Sequence, residues 1–169
     1  MPMTKALGLL LLSLSVVLAA GCGGSTELTQ VVLEVDTDIA APATIDEIRA
    51  TIRSPSGETR IASAVLGSLQ PLPPRTLAIT HGGDVLEGYE VALEGLSRGV
   101  VVVSRQVTFD MTAGEIRKVI VSLDQACVGV PCAGDTTCSA GTCVAPRIET
   151  VPLSTPTVDA GMTLDASAI

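Results

Sequence analysis

Between Gln30 and Asp124 apolar residues recur at every second position, in stretches broken by Gly, Pro and Ser. Period 2 places one face of each stretch in a core and the other in water, the mark of a strand in an all-β domain. Val31, Leu33 and Val35 share a face of the first stretch; Ile48, Ala50 and Ile52 share a face of the second, opposite Arg49, Thr51 and Arg53. Ser54-Pro55-Ser56-Gly57 makes a turn into a weaker strand, Thr59 to Val65. Pro71, Pro73 and Pro74 delay regular structure until Leu77 and Ile79 resume the alternation, because proline lacks the N–H that a ladder needs. His81-Gly82-Gly83-Asp84 turns the chain into Tyr89, Val91 and Leu93, which alternate with Glu90, Ala92 and Glu94. Ser97-Arg98-Gly99 then turns into Val100 to Phe109, and Thr112-Ala113-Gly114-Glu115 into Ile116 to Leu123, so these last two strands are expected to pair as a hairpin. Ile45 to Ile52 comes nearest to a helical period, but its β-branched residues favour a strand. Seven strands at this spacing predict a sandwich of immunoglobulin-like or transthyretin-like architecture over residues 30–124.

The long strand Val100 to Phe109 contains a misfit. If Val107 and Phe109 face the core, strict alternation sends Val101, Val103 and Arg105 inward as well, and Val100 and Val102 outward. An inward arginine predicts a bulge or bend near Ser104-Arg105. Paired with the next strand, Val100 and Val102 would join Ile120 in a shared outward patch, a candidate binding surface for a protein partner. The competing expectation is that the proline-rich Gln70 to Arg75 loop or the cysteine-rich run covers these residues as a second small core.

Ahead of the strands stands an address. Met1 to Lys5 carries a positive charge, and Ala6 to Ala20 is uncharged, the length of a signal-peptide core and short of the roughly 20 residues that span a bilayer. The run ends in Leu18-Ala19-Ala20-Gly21-Cys22. This resembles the lipobox of bacterial lipoproteins, with Ala19 where leucine is commonest in that family; an ordinary secretory signal cut nearby is the alternative. The resemblance implies removal of residues 1–21 and acylation of Cys22, which becomes the first residue of the mature chain. Several acyl chains at about 0.8 kcal/mol per buried methylene exceed what stable anchoring needs. Gly23 in place of the aspartate associated with inner-membrane retention implies the outer membrane, and residues 22–29 form a tether.

Four further cysteines, Cys127, Cys132, Cys138 and Cys143, lie within residues 125–144. Export favours disulfides. A four-cysteine zinc site competes, but C-x4-C-x5-C-x4-C lacks the close C-x2-C pairs usual for structural zinc. Three pairings are open, of which the crossed one, Cys127 with Cys138 and Cys132 with Cys143, best compacts a glycine-rich loop. Beyond Val144, Pro146, Pro152 and Pro156 stand among Thr, Ser, Ala and Asp, and residues 145–169 are expected to be a disordered tail. The order of signal, lipobox, valine-rich sandwich and cysteine run is similar to uncharacterised lipoproteins of myxobacterial type, a resemblance that carries location and architecture but no activity.

Charge and composition narrow the chemistry. The 169 residues hold 18 acidic and 10 basic side chains, for a net charge of −8. Removal of the signal takes away Lys5 alone among them, so the mature chain carries −9. Nucleic-acid binding, which runs on clustered Lys and Arg, is not expected. One Tyr, one Phe and no Trp exclude an aromatic platform for bases, sugars or flavins, and no cofactor is expected. Gly95-Leu96-Ser97-Arg98-Gly99 matches the G-x-S-x-G of serine hydrolases, and His81 is the one histidine. A nucleophile elbow needs a helix after the serine, and Val100-Val101-Val102-Val103 is a poor helix start; no histidine follows Ser97 either. Asp36-Thr37-Asp38 with Asp46 and Glu47 offers carboxylates to calcium but lacks the EF-hand spacing and its glycine, so no metal site is expected. The leading expectation is a non-enzymatic, lipid-anchored envelope module with a structural or protein-binding role, reaching the membrane through its anchor and an envelope protein through its patch. A surface-exposed ligand- or glycan-binding lipoprotein is the alternative, with loops at one end of the sandwich as its site.

Overall fold

A computed structural model describes residues 28–67, 69 and 72–153. The signal segment, Cys22 and residues 154–169 lie outside the described residues. Seven strands build the two main sheets: β1 (Gln30–Thr37), β2 (Glu47–Arg53), β3 (Thr59–Val65), β4 (Arg75–Thr80), β5 (Tyr89–Ser97), β6 (Val100–Phe109) and β7 (Ile116–Leu123), and all but β3 place at least one residue in the core. Three short strands follow: β8 (Thr137–Ser139), β9 (Thr142–Val144) and β10 (Val151–Pro152), with one 3-10 turn at Gln125–Cys127. The fold is all-β. One sheet runs β10-β7-β1-β4 and the other β3-β2-β5-β6, while β8 and β9 form a hairpin of their own.

The inward faces are those of the alternation. Val31, Leu33 and Val35 of β1, Ile48 and Ala50 of β2, and Val91 and Leu93 of β5 are buried between the sheets. Their flanking polar residues remain wholly or partly in water, as the strand period requires. At roughly 25 cal/mol per Å² of apolar surface removed from water, this aliphatic core dominates the stabilisation of the domain.

Three expectations give way. First, β6 and β7 do not pair: the Thr112–Glu115 connection carries the chain from one sheet to the other. There β7 lies parallel to β1, with Leu33 beside Val119 and Val35 beside Val121. A turn of that composition can close a hairpin or cross between sheets, and the long inward face of β7 is covered by opposing β5 and β6 face to face. Second, the irregularity in β6 sits higher than Ser104-Arg105. Gly95 pairs with Val103 and Leu96 with Val101, so Val102 is the extra residue of a bulge. Val102 is consequently half-buried against the core, and Val101, expected inward, is 44% exposed. Third, structure continues past Val144. Thr108 N–H donates to Pro146 O, Ile148 N–H donates to Thr108 O, and Val151 pairs with Lys118 of β7.

Candidate functional site

The G-x-S-x-G run is a hairpin turn. Arg98 (φ 50°) and Gly99 (φ 79°) both adopt the left-handed region, which makes the two-residue connection between β5 and β6 of the primed type. Asp46 holds it, accepting the Arg98 N–H at 2.9 Å. Gly95 answers a different need: a Cβ there would stand 2.8 Å from Val103 Cγ1 and 3.4 Å from Ile45 Cγ2. Ser97 pairs with Val100 at one end of the sandwich, whereas Tyr89, which holds His81, starts the same strand at the other end. Eight residues of strand at about 3.3 Å each separate those ends by roughly 26 Å. No nucleophile–base pair forms from Ser97 and His81.

His81 instead bonds to Tyr89. Its Nε2–H donates to the Gly83 carbonyl at 2.5 Å, which leaves Nδ1 as the acceptor of the Tyr89 hydroxyl at 2.7 Å. Tyr89 stacks on Phe109 with centroids 6.0 Å apart. Both rings are buried. Burial raises the Tyr89 pKa above its ordinary value, partly offset by a hydrogen bond from the Gly82 backbone. The cluster closes the end of the core where β1 begins, since His81 N–H also donates to Thr29 O.

The candidate calcium ligands serve as loop ties. Asp36 accepts from Thr37 N–H, Asp38 from Gln125 N–H at 2.6 Å, and Asp46 from Arg98. Among the described residues, no group of three or more His, Cys, Asp and Glu is placed to hold a metal ion.

The cysteine run forms disulfides in the crossed pattern, Cys127–Cys138 and Cys132–Cys143, each closing a separation of 11 residues. The first is buried and docks the run on the sandwich; Cys143 of the second is exposed. Thr137, a buried polar residue, accepts the Gln106 N–H at 2.8 Å through its hydroxyl and so satisfies an outward-facing amide of the β6 edge. Between the run and the outer face of β5 and β6 lies a cleft of about 290 Å³, lined by Glu94, Ser104, Gln106, Thr136 and Thr137 among others.

Arg105 keeps its inward parity and crosses the sandwich. Its guanidinium donates to Ser122 O of β7 at 2.9 Å and lies 3.9 Å from Asp124, with its side chain only 14% exposed. Burial lowers its pKa, opposed by the charge of Asp124. Nε has no partner. Asp124 also accepts from Ser122 Oγ and from Ala140 N–H at 2.7 Å, tying β7 to the β8–β9 hairpin. Further down, Arg147 pairs with Asp110. The Gly88 N–H holds the Asp110 carboxyl below the usual carboxylate range; burial opposes it, and Arg147 adds to the lowering.

The three residues expected to share an outward patch are not brought together. Val100 is 67% exposed at the top of β6, Val102 is turned against the core, and Ile120 is 50% exposed on the outer face of the other sheet. What sequence reasoning missed is the use of Thr137 and Pro146 to cover the β6 edge and of Arg105 to cap a carbonyl of β7. Only the odd parity of Arg105 signalled any of it. The chain matches no protein-family model, no curated protein and no solved structure.

Proposed function

We propose that the protein is a lipid-anchored module of the cell envelope, without catalysis of its own, that has a structural or protein-binding role. The observation that carries this reading is the Leu18-Ala19-Ala20-Gly21-Cys22 run behind a charged and then apolar leader. The domain geometry is compatible with it. Six residue steps from Cys22 to Leu28 reach roughly 20 Å at full extension. An anchor at Cys22 would hold the His81–Tyr89 end toward the bilayer and point the Ser97–Gly99 hairpin away from it. Exposed Val100 and Val101 beside that hairpin support a protein-binding role for the outward end. Glycan binding has less support, because both aromatic rings are buried and stacked on each other. Cys22→Ala tests the anchor: the variant should be released from membranes by carbonate washing, and persistence in the membrane pellet refutes the lipoprotein reading.

A further inference from the structure

The outer face of the β10-β7-β1-β4 sheet is apolar at the end where β1 begins. Val151 pairs with Lys118, and Leu153 N–H donates to Ile116 O. On the strand period Ile116, Val151 and Leu153 therefore share one face, opposite in parity to buried Val119 and Val121. Gln30 of β1 lies beside Ile116, and Leu28 stands two residues before it. Leu28, Ile116, Val151 and Leu153 are each between 42% and 48% exposed. Charge around them is neutralised locally, Arg117 pairing with Glu115 at 2.7 Å and Lys118 with Glu34 at 3.3 Å.

Where the chain leads decides what covers this patch. Leu28 is itself one of the four residues, and Cys22 lies six residue steps away, roughly 20 Å at full extension. A lipid anchor at Cys22 thus keeps the patch within that distance of lipid headgroups. Apolar surface held so close leaves water by touching the bilayer, with no second protein required. Asp84 and Glu87 lie in the connection from β4 to β5 at the same end, and the chain as a whole carries −8, so a zwitterionic surface suits the contact better than an anionic one. The Ser97–Gly99 hairpin, beside which Val100 is 67% exposed, stands at the other end of the sandwich.

We infer that Leu28, Ile116, Val151 and Leu153 form a bilayer-contact surface that seats the domain on zwitterionic phospholipid and fixes its orientation there. This rests on the lipid-anchored reading and adds to it a defined membrane face. The anchor supplies attachment; the patch decides which side of the sandwich meets the lipid and which end stays free for a partner.

The chain has no tryptophan, so a single introduced one reports its own surroundings. Full-length protein is reconstituted into phosphatidylcholine vesicles brominated high on the acyl chains, then read for flotation and for tryptophan emission. Leu153→Trp and Ile116→Trp, both at half-exposed positions, should each shift to the blue and lose most of their emission to bromine, whereas Val100→Trp should keep its emission. Flotation without quenching at either patch position overturns the inference and leaves the anchor standing. Equal quenching at all three positions overturns it too, since no face is then preferred. Blue-shifted emission at the patch that bromine does not quench means that protein covers these residues, which also overturns it. Failure to float removes the anchor, and the inference with it.

Discussion

The two lateral seams of the sandwich start from the same problem, an edge strand of each sheet with unpaired backbone and an apolar interior between them, and they differ in what covers it. On the β6/β7 side, Thr137 and Pro146 accept amides of β6, Arg105 caps a carbonyl of β7, β10 pairs with its lower half, and a buried cystine pins the assembly. On the β3/β4 side, a slot lined by Ala62, Ser63, Arg75 and Leu77 among others stands open. The covered seam uses residues distant in sequence from the strands they protect. The comparison teaches that a sandwich of about 95 residues with an aliphatic core can leave one seam unfilled when the other is stapled.

The largest test removes the staple. Replacing Cys127 and Cys138 together by Ala should lower stability by about 2–4 kcal/mol in urea denaturation. Cys132 and Cys143 close a separation of the same length, so the chain-entropy effect is equal. Their removal should cost less, because Cys143 is exposed and leaves no cavity. Equal losses would mean that burial of the first cystine contributes nothing to the seal.

Next in size is the polar link between the sheets. Asp124→Ala deprives Ala140 N–H and Ser122 Oγ of their acceptor and Arg105 of its counter-charge, and should cost about 1–3 kcal/mol. Arg105→Met keeps the volume and discards a guanidinium whose Nε lacks a partner; it should shift stability by no more than about 1 kcal/mol in either direction. A large loss for Arg105→Met would show that the cap on Ser122 O holds the seam by itself.

The last pair of tests compares added volume on the two sides. Gly95→Ala drives a methyl against Val103 and should cost about 1–3 kcal/mol in thermal unfolding. Ala62→Leu adds volume at the slot, where its gain in burial offsets any crowding, so a change under about 1 kcal/mol is expected. A loss as great as that of Gly95→Ala would show the open seam to be as tightly packed as the covered one.

Much of the fold was legible along the chain. The faces of β1, β2 and β5 follow from alternation alone, and β6 begins and ends at the residues its turn and valine run indicate. The site was legible in part. The crossed cystines emerge as the compact choice, yet the patch of Val100, Val102 and Ile120 does not assemble, because its premise was a β6–β7 hairpin. Pro146 and Pro152 give residues 146–152 the composition of the tail expected over residues 145–169. A proline carbonyl accepts a hydrogen bond as well as any other, however, and at an edge the missing N–H costs little.

Side-chain period is a local property: each strand declares its wet and dry faces through neighbours two residues away, so the sequence determined the strands, their inward residues and the odd parity of Arg105. Strand partnership is not local. Every strand offers the same N–H and C=O groups, so no residue of β7 specifies β1 over β6 as its neighbour; that choice follows from covering all inward faces at once. The tertiary structure therefore decided the parallel β1/β7 pairing, the bulge at Val102, and which seam of the sandwich stands open.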